Sequence, residues 1–403
     1  MAPTWGFVDQ LSKHYGLLPP SERFAGATSP EPTHQSPPSL GQILLSKRLR
    51  YAGTALAALG LFVLALRNYD SLPSLETLKS AGYGAPTAVL HEPVCPVAAT
   101  PLTIDRKNVD WSRFAYTQYV TNPSYLCNSV MIFETLFRLG SKADRVMMYP
   151  RECMDPTATE SQSMNEEARL LVTARDKYSV KLQPVEIQHR EGVDATWAES
   201  FTKLLAFNQT QYERVLNVDS DSTILQTMDE LFLLPPCPVA MPKAYWLLPD
   251  NNVLSSQLLL VQPNTAEFDR VMNKMHEAGS NDYDMEIVNQ LYINEAMILP
   301  HRPYDLLTGE FRSGDHDKYL GSDNEVWDPV TVFNEAKFLH FSDWPIPKPW
   351  VSMMESEREE HQPKCVERDG VVDCSDRELW NGFYTDFTQR RKDVCGTHSY
   401  FRT

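Results

Sequence analysis

Two aspartates at the end of an apolar run are the strongest candidates for binding a metal and a phosphate in this 403-residue sequence. Asp219 and Asp221 follow residues 214–218, which have the pattern of a buried strand. Mg²⁺ and Mn²⁺ prefer hard oxygen ligands, typically one or two carboxylates together with water and a substrate diphosphate. In a turn just past the strand both carboxylates can converge on one ion, at the strand end where open α/β sheets bind ligands. Two further pairs share the spacing but follow no such strand: Asp282 with Asp284, and Asp315 with Asp317.

The chain around this turn alternates between strand-like and helix-like segments from residue 111 onward. Such β-α-β alternation predicts an α/β domain with a mostly parallel central sheet and helices on both faces. Neither a Gly-x-Gly-x-x-Gly loop nor a Gly-Lys-Ser/Thr loop is present in the sequence, so a bound nucleotide would need a metal to neutralise its phosphates. The predicted strands are 114–120, 145–149, 180–187 and the run before Asp219, and the predicted helices are 126–139, 166–178 and 197–207.

Composition narrows the class of partner. A hydrophobic content of 42% allows one large domain or two medium ones, each with its own core. The formal net charge of −16, without a long basic stretch, argues against a nucleic-acid partner. The seven cysteines show no Cys-x-x-Cys spacing, so no zinc site is predicted. If the others pair, the odd number leaves at least one free thiol.

The N-terminal part predicts membrane attachment. Residues 1–50 are rich in proline, serine and threonine and are typical of a disordered cytosolic tail. Residues 51–67 contain an uncharged apolar run long enough, at about 24 Å of helix, for a short transmembrane signal anchor. A cleaved signal peptide would begin at the N-terminus, whereas here the tail comes first. The basic cluster before the run predicts a cytosolic N-terminus, a luminal stem over 68–110 and a luminal catalytic domain over 111–403.

A luminal domain has consequences for its cysteines and its surface. The cysteines lie in an oxidising compartment, where Cys365 and Cys374, nine residues apart, are a candidate disulfide pair. The sequon Asn208-Gln209-Thr210 is a candidate glycosylation site. A short span favours the thinner membranes of the early secretory pathway. No function is predicted for residues 351–403.

Several segments together resemble glycosyltransferase family 8, the glycogenin-like retaining enzymes. The similarity covers residues 111–350 and is closest to the fungal Golgi α-N-acetylglucosaminyltransferases, also called glucose N-acetyltransferases. Landmarks in the same order are more specific than a lone Asp-x-Asp. The segments that carry the resemblance are 114–122, 136–142, 202–205, 217–223, 306–311 and 340–350.

The resemblance implies a GT-A type, Rossmann-like nucleotide-diphospho-sugar transferase fold and a set of metal ligands. Asp221 and His340 correspond to the manganese ligands, and Asp219 to the residue that reaches both the metal and the ribose. Imidazole joining two carboxylates suits Mn²⁺, although Mg²⁺ remains an alternative. Lys348 corresponds to the lysine that contacts the donor diphosphate. On its own, His340 would be read as an ordinary partly buried histidine.

Other positions correspond to the donor pocket. Lys203 matches a lysine near the sugar nucleotide, although a lysine on a helix face needs no function. Thr117, Tyr119 and Asn122 match the lining of the uracil and ribose pocket, and Ser220, between the two aspartates, is grouped with them. A tyrosine at a strand end is equally compatible with simple packing.

Two departures from the family pattern concern the sugar and the diphosphate. Where the family usually has Asn-Ser-Gly, this chain has Ser255-Ser256-Gln257, so Gln257 is expected either to face the donor sugar or to reshape its pocket. The segment from His340 to Lys348 is two residues longer than the common motif. Asp284 falls where related enzymes carry an aspartate near the transferred sugar, and we predict it to be a catalytic residue together with Gln257.

The sequence thus predicts a retaining transferase that uses a UDP-sugar and carries one N-terminal membrane span in the Golgi. The resemblance alone implies the donor, with UDP-N-acetylglucosamine first and UDP-glucose or UDP-galactose next, and the acceptor is expected to be a glycan or glycoprotein. No carboxylate pair for glycosidase chemistry is evident. Two alternatives remain open: a non-catalytic luminal scaffold of the same fold, and a metal-dependent nucleotide pyrophosphatase or hydrolase.

Overall fold

The computed structural model describes residues 108–153, 157–159, 165–189, 199–248, 253–279, 282–322, 324–368 and 370–396. The predicted tail and anchor and nearly all of the predicted stem lie outside these residues. Among the helices of the described part, none combines the length and apolar character that crossing a bilayer requires.

The strands and helices alternate along the chain as the sequence predicts. The strands are β1 (Phe114–Tyr119), β2 (Asp144–Pro150), β3 (Val180–Val185), β4 (Arg214–Val218), β5 (Ser222–Ile224), β6 (Val239–Pro242), β7 (Leu258–Val261), β8 (Met297–Leu299), β9 (Leu306–Leu307), β10 (Phe338–His340), β11 (Val366–Arg368) and β12 (Val371–Asp373). The α-helices are α1 (Pro123–Arg138), α2 (Glu166–Tyr178), α3 (Thr265–Glu277), α4 (Asp284–Tyr292), α5 (His301–Tyr304), α6 (Asp317–Leu320), α7 (Pro329–Glu335), α8 (Glu355–His361) and α9 (Ser375–Cys395). The 3-10 helices are Trp111–Arg113, Arg151–Cys153, Ser200–Asn208, Asp229–Leu233, Tyr245–Leu247 and Thr308–Arg312.

The central sheet has seven strands in the order β3-β2-β1-β4-β7-β6-β8. Within it β7 alone runs antiparallel to its described neighbours, so the predicted mostly parallel sheet is confirmed. Alternate strand residues enter two separate cores, as a two-residue period requires. Tyr116 and Leu216 pack with α1, α2 and α9 on one face. Ala115 and Val215 pack with the Ser200–Asn208 helix, α3 and α4 on the other, which confirms helices on both faces.

Element boundaries differ modestly from the predicted ones. Helix α1 begins three residues before its predicted start, because the Asn122 side chain caps its first turn and Pro123 occupies its first position. The predicted helix over 197–207 is described as the 3-10 helix Ser200–Asn208, in which every side chain from 200 to 207 is buried. Strand β3 ends two residues earlier than predicted.

A second, three-stranded sheet brings distant residues to the end of β4. Strand β10 pairs antiparallel with β5 and parallel with β9, and His340 lies opposite Ser222 in this register. Since Ser222 directly follows Asp221, the pairing brings His340, more than a hundred residues away in the chain, next to residues 219–221, which form the acidic turn.

Two disulfides fix the C-terminal part. Cys365 and Cys374, the candidate pair, are bonded and close the β11-β12 hairpin. Cys127 and Cys395 join α1 to the last residue of α9, a pairing that the sequence did not suggest.

Candidate active site

The turn after β4 is held on both sides by backbone hydrogen bonds. The Asp219 amide donates to the Gln257 carbonyl over 2.9 Å, and the Phe341 amide donates to the Asp221 carbonyl over 2.9 Å. The Ser222 hydroxyl also donates to the Asp219 carbonyl at 2.5 Å. These contacts hold the backbone from which the two carboxylates project.

Asp219, Asp221 and His340 form a candidate cation site. One potential ligand atom from each lies within 4.8 Å of the others. His340 Nε2 is 3.0 Å from Asp221 Oδ1 and 4.0 Å from Asp219 Oδ2. Two carboxylates with one imidazole are a donor set that Mn²⁺ accepts, so the residues fit the metal that the resemblance implies.

Lys203 bridges two carboxylates on the opposite side of Asp219. Its Nζ is 2.7 Å from Asp219 Oδ1 and 2.7 Å from Asp284 Oδ2, and its side chain is only 3% exposed. Burial lowers the pKa of Lys203, but the two aspartates outweigh that effect and hold the pKa well above its usual value. The ammonium group therefore stays charged and ties Asp284, at the start of α4, to the acidic turn.

Lys348 contacts the other aspartate. Its Nζ is 2.7 Å from Asp221 Oδ2 and donates to the Phe341 carbonyl at 2.7 Å. Burial raises the pKa of Asp221, but His340 and Lys348 outweigh it and hold that pKa well below the usual range. Burial raises the pKa of Asp219 more than Lys203 lowers it, with the charge of Asp221 adding to the rise. Asp221 is thus the carboxylate most firmly kept anionic.

The predicted sugar-facing residues lie beside this cluster. Ser256 donates to Asp284 Oδ2 at 2.9 Å, and its carbonyl accepts from Lys203 at 3.2 Å. Gln257 is partly exposed, and within the described residues its buried Oε1 has no hydrogen-bond partner. Sequence reasoning placed Ser256 in the motif without giving it a role, because its bond to Asp284 spans two distant elements.

Some of the predicted donor-pocket residues make hydrogen bonds within the fold, and one is partly exposed. Thr117 is fully buried, and its hydroxyl accepts from Asn217 Nδ2 at 3.2 Å, which joins β1 to β4. The Asn122 side chain accepts from two amides in the first turn of α1. Tyr119 is partly exposed at the end of β1, and Ser220 is buried in the acidic turn. Their predicted contacts with uridine stay predictions.

Comparisons with known proteins place the chain in a family. It is 48% identical over 316 residues to glucose N-acetyltransferase 1 of Aspergillus fumigatus, covering 74% of this chain and 81% of the relative. The chain belongs to the glucose N-acetyltransferase 1 family. This confirms the resemblance to that branch.

The family assignment rests on curated relatives. The protein of the same name from Gibberella zeae is 63% identical over 290 residues, covering 71% of this chain and 63% of that relative's length. No family model matches the chain. The crystal structure of the glycosyltransferase GlyE of Streptococcus pneumoniae aligns with a TM-score of 0.41 and 12% identity, over 72% of this chain and 65% of that one, which is too low to support a conclusion.

In this member of the family, Asp305 is a further carboxyl group near the site that the sequence did not single out. It lies just before β9 and is fully buried. Burial raises its pKa to about 8, with the charge of Asp219 adding to the rise and the Ser255 hydroxyl partly offsetting it. Asp305 is therefore mostly protonated at neutral pH. Unlike Asp284, it has no lysine partner among the described ion pairs.

Replacing Asp305 with asparagine is expected to stabilise the protein at alkaline pH. A carboxyl whose pKa is raised on folding favours the folded state at low pH, and that contribution is lost as the pH rises through its folded pKa. The advantage of the variant in unfolding free energy should begin above about pH 4, the unfolded pKa of an aspartate, and should be larger at pH 9 than at pH 5 by about 2–4 kcal/mol. Urea denaturation at both pH values measures this. The exposed Asp269→Asn change is the control, and a difference for Asp305→Asn that does not grow with pH would contradict the prediction.

Proposed function

We propose that this protein is a retaining, metal-dependent glycosyltransferase that moves N-acetylglucosamine from UDP-N-acetylglucosamine to an acceptor hydroxyl on a glycan or glycoprotein. The observation that carries the proposal is the convergence of Asp219, Asp221 and His340 on one point with Lys348 beside it. The names of the relatives support transfer chemistry, and the family resemblance supports UDP-N-acetylglucosamine over UDP-glucose or UDP-galactose.

Each residue of the site has a distinct proposed role around the donor. Asp221, His340 and Asp219 would hold Mn²⁺ or Mg²⁺, which supplies positive charge to the departing diphosphate. Lys348 would donate a charge-assisted hydrogen bond to a phosphate oxygen and offset charge that develops on the leaving group. Near this point three carboxylates, those of Asp219, Asp221 and Asp284, face the ammonium groups of Lys203 and Lys348, so a cation is needed before an anionic diphosphate can approach.

The proposed reaction exchanges one bond at the anomeric carbon. The bond from that carbon to the UDP oxygen breaks, and a bond to the acceptor oxygen forms on the same face of the sugar. The acceptor proton passes to the leaving phosphate oxygen. Asp284, oriented by Lys203 and Ser256, would bind a sugar hydroxyl or stabilise positive charge at the anomeric centre, and Gln257 would face the sugar.

The alternatives fit the described site less well. A hydrolase that uses two metals needs carboxylates for both ions. Here the charge of Asp284 is taken up by Lys203, and the described residues contain only one cluster of three potential ligands. A non-catalytic scaffold has no need to keep two aspartates, a histidine and a lysine in contact.

Binding of UDP-sugars should be measured by thermal unfolding of the full chain in detergent. A ligand that binds only the folded state adds about 2.7 kcal/mol of stability at 100 times its Kd. At equal concentration with Mn²⁺, the more tightly bound UDP-N-acetylglucosamine is therefore expected to stabilise the protein more than UDP-glucose or UDP-galactose. Without Mn²⁺ the effect should be largely lost. Equal stabilisation by all nucleotide sugars, or none by any of them, would contradict the donor assignment. Retention should then be checked by NMR of the product.

We further propose that the protein is a single-pass type II protein of the Golgi membrane, anchored by residues 51–67, with its catalytic domain in the lumen. The apolar run, the basic residues before it and the sequon at Asn208 support this arrangement. Asn208 is exposed at the end of its 3-10 helix, so a luminal glycan could be attached there.

Protease treatment of sealed microsomes tests this topology. The N-terminal 50 residues are expected to be digested and residues 68–403 protected, because only the tail would face the cytosol. Detergent should remove the protection, which is the control. Digestion of the catalytic domain in intact vesicles would place it in the cytosol and exclude the luminal assignment.

A further inference from the structure

The closing loop, residues 341–348, runs from the candidate metal ligand His340 to the candidate diphosphate ligand Lys348. Its first residue is fixed to the acidic turn, because the Phe341 amide donates to the Asp221 carbonyl. The rest of the loop determines where the Lys348 ammonium lies relative to the metal ligands. The loop is also longer than the segment expected from the family resemblance, so it needs its own support.

Asp343 is the buried anchor of this loop, with 2% of its side chain exposed. Its Oδ1 pairs with Arg312 at 2.5 Å. Its Oδ2 accepts hydrogen bonds from Trp380 Nε1 at 2.6 Å and from the Tyr384 hydroxyl at 3.3 Å. Both carboxylate oxygens thus have partners, as a buried charge requires.

The anchor is linked directly to the position of the lysine. The Ile346 amide donates to the Asp343 carbonyl at 2.7 Å, which forms a turn leading to Lys348. Lys348 in turn donates to the Phe341 carbonyl at 2.7 Å. The loop therefore closes on itself, and a shift of Asp343 would move the ammonium group.

The elements that hold Asp343 are themselves fixed. The 3-10 helix Thr308–Arg312 carries Arg312 as its last residue and Gly309 as its second. The Gly309 amide donates to the Ser342 carbonyl at 3.2 Å, and a Cβ at Gly309 would lie only 2.9 Å from that oxygen. This close approach requires glycine, so the loop is packed against the helix without spare room.

Helix α9 carries Trp380 and Tyr384 and is tied to α1. The Cys127–Cys395 disulfide joins the two helices. Arg391 adds hydrogen bonds from α9 to the Ser124 carbonyl at 3.3 Å and to the Asn128 side chain. This covalent and hydrogen-bonded attachment to α1 makes α9 a support for Asp343.

We propose that Asp343 is a positioning residue for donor binding: by tying the closing loop to α9 and Arg312, it sets where Lys348 meets the diphosphate. The inference rests on the proposed function, since it presupposes that Lys348 contacts a UDP-sugar. It also gives a role to residues 375–395, which lie beyond the segment covered by the family resemblance.

The chain offers a matched control on the same helix. Asp376 accepts a hydrogen bond from Trp327 Nε1 at 2.9 Å, the same carboxylate-to-indole contact, but neither residue belongs to the closing loop. Asp343→Asn and Trp380→Phe are therefore compared with Asp376→Asn and Trp327→Phe. Both tryptophan changes keep an aromatic ring and remove the indole N–H.

The measurement is the inhibition constant of UDP and of UMP for sugar transfer by the full chain with Mn²⁺. For Asp343→Asn the ratio of the UDP constant to the UMP constant should rise about tenfold, because a misplaced Lys348 weakens a hydrogen bond to a charged group that UMP lacks. Trp380→Phe should raise the ratio in the same direction by a smaller factor. The two control variants should keep the wild-type ratio, even where their melting temperature falls.

An unchanged ratio in both Asp343→Asn and Trp380→Phe would overturn the proposal and leave Asp343 as a structural residue only. If Asp343→Asn does not fold, Trp380→Phe decides between the two outcomes. Equal rises in the control variants would also overturn it, because they would show a general effect of loosening α9. A wild type that neither transfers sugar nor binds UDP would instead refute the proposed function.

Discussion

Asp221→Asn is expected to lower kcat/KM for Mn²⁺-dependent sugar transfer by about a thousandfold, an effect of about 4 kcal/mol on the transition state. Asp221 is central because its Oδ1 faces His340 at 3.0 Å while its Oδ2 faces Lys348 at 2.7 Å. The amide removes the negative charge that would bind the cation and that pairs with the lysine. Kinetics with saturating acceptor over a range of Mn²⁺ concentrations measures the loss.

This variant should lose some stability, since the charge of Asp221 pairs with His340 and Lys348, but it should still fold because the partly exposed Lys348 can be hydrated. The control is Asp315→Asn, which alters an exposed aspartate in another Asp-x-Asp pair. It should retain wild-type activity. Near wild-type turnover by Asp221→Asn, with the same Mn²⁺ dependence, would remove the metal site from this turn.

The local part of this site could be predicted from sequence because strand and turn are local patterns. Five buried residues of β4 precede Asp219 and Asp221, and their position at the strand end follows from that alone. The partner His340 could not be found this way, since it reaches the turn only through the pairing of β10 with β5. A family resemblance supplied it instead.

Contacts between side chains that are far apart in the sequence could not be predicted, for the same reason. Nothing near Asp343 in sequence indicates that Trp380 and Arg312 satisfy its charge. The bond between Cys127 and Cys395 spans 268 residues, and seven cysteines allow too many pairings for spacing to select it. By contrast, the separation of nine residues between Cys365 and Cys374 made that pair a natural candidate.

Lys203→Met should give the largest loss of stability, about 3–5 kcal/mol in the free energy of unfolding without ligand. Lys203 holds Asp219 and Asp284 at 2.7 Å each, and its side chain is 3% exposed. Methionine fills a similar volume but leaves two partly or wholly buried carboxylates near each other without a cation. The sequence left open whether this lysine was an ordinary residue on a helix face. Urea denaturation of the variant and the wild type measures the loss of stability.

The surface pair of Lys181 and Asp144 is the matched control, since its Nζ and Oδ2 lie 2.5 Å apart, at least as close as the Lys203 contacts, but the lysine side chain is 62% exposed. Lys181→Met should therefore change stability by only about 0–1 kcal/mol. If Lys203 acts mainly on Asp284, the double variant Lys203→Met/Asp284→Asn should recover part of the loss, because residues in contact are non-additive. Equal losses for Lys203→Met and Lys181→Met would mean that water reaches the buried carboxylates and that Lys203 does not hold the site together.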